Sequence, residues 1–262
     1  MRNVRALHIG TSGFASPQQR PSLHATSSAT ADLLTGYAGL FDAVELDSVF
    51  ARSPCATTVA GWCDATPSSF RFSVRMPRDV THKDRLTMPA RVSGFVDGLA
   101  PLGPRLACLL FTMPARMPCD PQLLRMVLRS VPPRVRTAWE FRHDSWVCPE
   151  VLDVLAEHGA APAIVDSSGG PSGESLLPGG GVTDGWDFGF TYVRFRRDGY
   201  RPGDLMAWGR LLAEALGRGD VLAFFKQSPE ATAYAAALSE LLCDALTPVP
   251  APVVMPVPIA TP

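Results

Sequence analysis

Charged residues recur where apolar stretches of this chain end, and their types suit one kind of chemistry. Glu45 and Asp47 close Asp42–Leu46 (DAVEL), and Arg75 closes Phe70–Arg75 (FRFSVR). Glu140 and Arg142 follow Trp139 in WEFRHDSW, and Asp166 closes Ala161–Asp166. Arg194 and Arg196 close Phe190–Arg196 (FTYVRFR), and Lys226 follows Val221–Phe225 (VLAFF). His82 lies in the segment MPRDVTHKDRL that follows Arg75. A carboxylate or imidazole moves protons when its surroundings tune its pKa. Several guanidiniums around one cavity grip a planar carboxylate or a phosphate bidentately. We therefore expect Glu140, Asp166 and His82 as acid–base candidates. Glu45, Asp47, Arg75, Arg142, Arg194, Arg196 and Lys226 are expected to bind a small anionic molecule. The competing reading is a lattice of structural ion pairs, because such lattices gather the same residue types.

Other chemistries find less support. His8, His24, His82, His143 and His158 form no close ligand pair, so no cofactor or metal site is indicated. Carboxylates from separate strands would still suit a divalent cation such as Mg²⁺ or Mn²⁺. Cys55, Cys63, Cys108, Cys119, Cys148 and Cys243 show no C-x-x-C spacing. Scattered thiols of this kind read as reduced residues, and with no secretory signal in Met1–Ile9 the expected location is cytoplasmic. Gly10-Thr11-Ser12-Gly13 lacks the lysine and spacing of a P-loop and reads as a tight turn. No G-x-S-x-G elbow is present. No apolar run reaches the about 18 residues of a membrane span. The net charge of −1, from 24 Lys+Arg and 25 Asp+Glu, argues against a surface made to coat nucleic acid. A local basic groove stays compatible with it.

These residues can meet only if the elements carrying them run side by side. Val135, Thr137, Trp139 and Phe141 alternate with Arg136, Ala138, Glu140 and Arg142, which is the period of a strand. Val4–Ile9, Asp42–Leu46, Phe70–Arg75, Leu106–Met113, Ala161–Asp166, Phe190–Arg196 and Val221–Phe225 also read as strands. Helices are expected over Ala29–Leu40, from Ser53-Pro54 to Asp64, over Pro89–Leu99, from Asp120-Pro121 to Ser130, over Pro149–Glu157, over Pro202–Gly217, and from Ser228-Pro229 to Leu246. Ser167–Asp187 is Gly/Ser/Pro-rich and reads as a loop, so the sixth crossover lacks an evident helix. Alternating strands and helices imply an α/β fold with parallel strands. The count predicts a (β/α)₈ TIM-type barrel as a single domain over residues 1–246, with an open doubly wound sheet as the alternative. The Pro-rich, uncharged tail Thr247–Pro262 is expected to be an extended appendage dispensable for folding. In such a barrel the loops after the strands build one mouth, and the charged strand ends all belong there.

The motifs IGTSGF (Ile9–Phe14), VELDS (Val44–Ser48), PRDVTHKDRL (Pro77–Leu86), EFRHDSW (Glu140–Trp146), VDS (Val165–Ser167) and YVRFR (Tyr192–Arg196) resemble the YecE-like family, domain of unknown function 72. The resemblance runs in order to about Leu246 and implies a TIM-like barrel without a settled activity. Glu45, His82, Glu140, Arg142, Asp166 and Arg194 match the family pattern. Phe14 stands where the family has Trp, Asp47 where it has Asn, and Ala51 where it has an aromatic. Arg196-Arg197 replace His-Gly-Arg, and Lys226-Gln227 replace an Asn pair. The heart of the mouth is kept and its rim is changed. Three functions fit: an enzyme on a small anion, a nucleic-acid-binding or nuclease-like barrel, and a non-catalytic binding or scaffold descendant.

Overall fold

The computed structural model describes residues 5–15, 30–167, 183 and 185–246, with side chains to 243. Its strands are β1 (Leu7–Thr11), β2 (Ala43–Leu46), β3 (Arg71–Arg75), β4 (Leu106–Thr112), β5 (Thr137–Glu140), β6 (Ala161–Asp166), β7 (Phe190–Phe195) and β8 (Asp220–Phe225). Its helices are α1 (Thr30–Ala38), α2 (Ala56–Asp64), α3 (Pro89–Gly98), α4 (Pro121–Arg129), α5 (Pro149–Glu157), α6 (Pro202–Leu216) and α7 (Ala231–Leu246). The strands form one 8-stranded sheet in the order β1-β8-β7-β6-β5-β4-β3-β2, and every ladder is parallel.

The sheet curls until its end strands β1 and β2 meet. No ladder joins them; a phenol does. The Tyr37 hydroxyl accepts from the Thr11 N–H at 2.8 Å and donates to the Ala43 carbonyl at 3.1 Å. The approach is close enough to require glycine at position 10, where a Cβ would lie 2.1 Å from the Ala43 oxygen. This is the (β/α)₈ barrel that the alternation of elements predicts, and the open sheet is set aside.

Register sorts the side chains. Residues paired across parallel strands share a face. Glu45 pairs with Ser73 and Ser73 with Cys108, while Thr112 pairs with Glu140 and Arg194 with Phe224. These point into the barrel, as the hydrogen bond across it from Ser73 to Tyr192 requires. Phe72 and Phe195 point outward, where Trp62 of α2 and Trp208 of α6 pack on them with ring centroids at 6.0 and 5.0 Å. The outer layer is apolar and the inner one becomes polar towards the carboxyl ends of the strands.

Some boundaries differ from expectation. Helix α4 starts in the expected place, and Asp120 caps it, accepting from Leu123 N–H at 2.9 Å. Helix α2 instead starts at Ala56, with Cys55 as its cap, although Ser53-Pro54 carries the usual start signal. The Cys55 sulfur contacts the Thr57 and Thr58 hydroxyls at 3.1 Å each and occupies the place the serine was expected to take. The segment around His82 is a turn of π-helix, Asp79–Lys83. Most of Ser167–Asp187, and all of Thr247–Pro262, lie outside the described residues.

Candidate functional site at the carboxyl mouth of the barrel

Arg194 is the centre. It rises from β7 into the barrel and is buried. Its Nε and Nη2 clasp Glu45 side-on at 2.9 and 2.7 Å, and its Nη1 contacts Glu140. Nη2 also reaches Asp47 at 3.1 Å. Burying a charge is costly unless it is paired and hydrogen-bonded. Here one cation serves two buried carboxylates from opposite sides of the barrel, Glu45 on β2 and Glu140 on β5.

Three further guanidiniums surround this core. Arg196 donates to Glu45 at 2.7 Å and to the Ser12 hydroxyl at 2.9 Å. Arg142, just past β5, holds Glu140 through Nε at 2.7 Å. Arg75 donates to Asp47 at 2.8 Å and to Thr112 at 3.1 Å. Asp47 comes into reach because β2 turns directly into a 3₁₀ turn, Asp47–Phe50. That turn also lays Phe50 beneath Arg75, with Cζ 3.6 Å from the ring centroid. Beneath the cluster, Tyr192 donates to Glu45 at 2.8 Å and meets Ser73 at 2.6 Å.

The electrostatics follow from these contacts. Burial alone would raise the carboxyl of Glu45. The charges of Arg194 and Arg196, with hydrogen bonds from Arg194 and Ser12, overcome burial and hold it far below the usual carboxylate range. Glu140 is likewise lowered against its burial by Arg194 and Arg142. Both are therefore ionised at neutral pH, and Glu140 is a weak proton acceptor. Burial pushes the Tyr192 phenol well up, as does the charge of Glu45, so it keeps its proton.

His82 is different. Partial burial and the charges of Arg142, Arg75 and Arg78 lower its pKa, leaving the ring neutral at pH 7. The Thr81 hydroxyl donates to the Pro77 carbonyl at 3.2 Å, so its lone pair receives the His82 Nδ1–H at 2.9 Å. Nε2 then carries the free lone pair. The ring stands edge-on to Phe50, centroids 5.2 Å apart. The supporting backbone is unusual: a π-turn followed by Arg85 and Leu86 at φ 48° and 62°. Both features gather at functional sites.

Two expected members stand apart. Asp166 does not join the cluster. It pairs in register with outward-facing Phe195, so its carboxylate points to the helix layer, accepting from Trp208 Nε1 at 2.9 Å and Arg197 Nε at 2.6 Å. Strand β6 is apolar on both faces, and no alternation marks which way its last residue turns. Lys226 lies on the rim and pairs with Asp198. The cluster's Ser12, Ser73, Thr112, Tyr192 and Phe50 were not singled out from the sequence. Of these, Ser73 and Tyr192 share the readable inward phases of their strands, with Arg75 and Arg194 respectively.

No metal is suggested by the arrangement, since a guanidinium already occupies each carboxylate of the cluster. Among the described residues no group of His, Cys, Asp and Glu is placed to hold an ion. No helix of the described residues is long and apolar enough to cross a membrane. Cys55, Cys63, Cys108, Cys119 and Cys148 are free thiols.

Fold and site together define an eight-stranded parallel barrel with a polar mouth at the carboxyl ends of its strands. Residues 8–254 match the family described as "Protein of unknown function DUF72", and the chain belongs to that family. Its structure resembles that of a DUF72 family protein from Enterococcus faecalis V583, with a TM-score of 0.72 and 18% identity over 90% of this chain and 95% of that one. It also resembles a DUF72 family protein from Thermotoga maritima MSB8, with a TM-score of 0.71 and 21% identity over 92% of this chain and 99% of that one. At these identities the likeness concerns the fold. No curated protein sequence matches the chain.

Proposed function

We propose that the chain is an enzyme that takes a small anionic substrate, a carboxylate or a phosphate, at the carboxyl mouth of its barrel. The supporting observation is an imbalance. Four guanidiniums, Arg75, Arg142, Arg194 and Arg196, share three carboxylates, Glu45, Asp47 and Glu140. One positive charge is left over. It falls towards solvent at Arg142, whose side chain is 43% exposed and whose Nη groups have no partner among the described residues. A neutral His82 with a free Nε2 beside that charge is the natural proton acceptor, and Glu140 anchors the arginines. A single surplus charge suits a small ligand better than a polyanion, which would need many phosphate contacts.

A thermal-shift titration tests this reading. A ligand that binds only the native state stabilises it by mass action, by about 2.7 kcal/mol at a hundredfold excess over Kd. Acetate and phosphate at millimolar concentration should raise the melting temperature of the wild type and not that of Arg142→Ala. Equal responses in both would place the anion elsewhere, and no response in the wild type would remove the reading.

A further inference from the structure

The opposite end of the barrel also carries a cavity. It measures about 630 Å³, within the usual size of ligand pockets, and opens among the amino ends of β1, β3, β4, β5 and β8. In barrels of this class that end commonly serves stability alone. Here its lining is basic: Arg71, Arg134 and Arg136 stand there against one carboxylate, Asp220.

The polar contacts show how the charges are used. Asp220 accepts the Ala6 N–H at 2.8 Å and Arg136 Nη1 at 2.7 Å, so its charge is spent on Arg136. Those two contacts, with the charge of Arg136, hold its carboxyl below the ordinary range despite partial burial. Arg136 is further fixed by Phe190, whose ring centroid lies 5.4 Å from Cζ. Arg71 Nη1 donates to the carbonyls of Ser68, Ser69 and Phe70 at 3.1, 2.8 and 3.2 Å. Those neutral acceptors orient its guanidinium without cancelling its charge. Arg134 has no partner among the described residues. His8 also lines the cavity, with its Nδ1 tied to Asp42 at 2.6 Å.

We propose that this cavity is a second, separate binding site, for a small molecule bearing phosphate groups. Two guanidinium charges there lack a carboxylate, which fits a dianion or a pair of phosphates. Arginine forks suit phosphate oxygens bidentately. The volume exceeds what a bare phosphate fills and leaves room for an attached group over the apolar floor of Leu106, Ala107 and Leu222. The site shares no lining residue with the carboxyl mouth and stands whether or not that mouth binds an anion.

The test uses inorganic pyrophosphate as the probe and titration calorimetry as the readout. It is run in Arg142→Ala, so that binding at the carboxyl mouth does not interfere. A saturable isotherm of about one equivalent is expected. Adding Arg134→Ser and Arg136→Ser leaves Arg71 facing Asp220 with no net charge, and affinity should fall at least tenfold. Both arginines are exposed and the Arg136–Asp220 pair is a surface pair of small stabilising value, so the variant should fold. Circular dichroism checks this. The proposal is overturned if Arg142→Ala gives no saturable heat. It is equally overturned if the isotherm survives both serine substitutions, which would indicate an adventitious surface site. Loss of wild-type pyrophosphate binding through Arg142→Ala alone would assign it to the carboxyl mouth and leave no second site.

Discussion

Replacing Arg194 with methionine removes the charge that two buried carboxylates share. Breaking a buried ion pair from one side costs about 3–5 kcal/mol, because the remaining charge is left without compensation. Two features set where in that range the cost falls. Glu45 and Glu140 both lose a partner, which raises the cost. Arg196 still holds Glu45 and Arg142 still holds Glu140, which lowers it. For a domain of this size a destabilisation of that order lowers the melting temperature by about 6–20 °C. The pH dependence carries the sharper information. In the wild type both glutamates lie below their unfolded range, so their stabilisation is present above about pH 4.3 and is lost only as pH falls through the lower folded values. Without Arg194 burial prevails and their pKa values rise. Protonation then relieves the variant as pH falls, so its deficit is greatest at pH 7 and shrinks towards pH 5. Thermal unfolding followed by circular dichroism at both pH values measures this. A loss below about 2 °C at pH 7, or a deficit that grows on acidification, would refute the electrostatic account of the cluster.

The barrel seam is tested by Tyr37→Phe, which leaves the Thr11 N–H and Ala43 carbonyl unbridged and should cost about 1–3 kcal/mol. Hydrogen exchange at Thr11 should accelerate, and unchanged protection there would contradict the bridge. Cys55 is exposed, and hydrogen bonds from Thr57 and Thr58 bring its thiol down to about 6. Its iodoacetamide alkylation should be half-maximal near that pH, whereas buried Cys108, with its thiol pushed up by burial, should not react in the folded protein; a Cys55 midpoint near the ordinary value of about 8.5 would refute this. Lys226→Asn should leave the acetate response of the wild type unchanged because Lys226 is engaged by Asp198, whereas Arg196→His should weaken it several-fold. Thermal-shift titration of both variants checks the contrast.

The fold was legible because its signals were periodic. β3 and β7 alternate strictly, and that phase alone sets Arg75 and Arg194 on the face opposite the apolar residues of their strands. Asp166 was misplaced for the same physical reason in reverse. An apolar run such as β6 has no phase, so the direction of its last residue depends on register with β7. Lys226 follows a strand that is apolar beyond its first residue, Asp220, and the partner that engages it, Asp198, comes from a loop. The seam at Tyr37 could not be read at all. A helix tyrosine looks like core, and only barrel closure turns its hydroxyl into a bridge between two backbones. The tautomer of His82 depends on its neighbour Thr81 and on Pro77, five residues earlier, and it is set by a π-turn that no propensity signals.

The most direct measurement of the central claim is the titration of His82 by NMR, with and without a small anion. Without ligand, the ring should be the neutral Nδ1–H tautomer with a midpoint below the ordinary value of about 6.5, owing to partial burial and to Arg142, Arg75 and Arg78. An acetate or phosphate ion seated beside Arg142 offsets those cations, so the midpoint should move up when the anion is added. A midpoint that starts at or above 6.5, or one that saturating anion leaves unmoved, would contradict an anion-binding mouth built around His82.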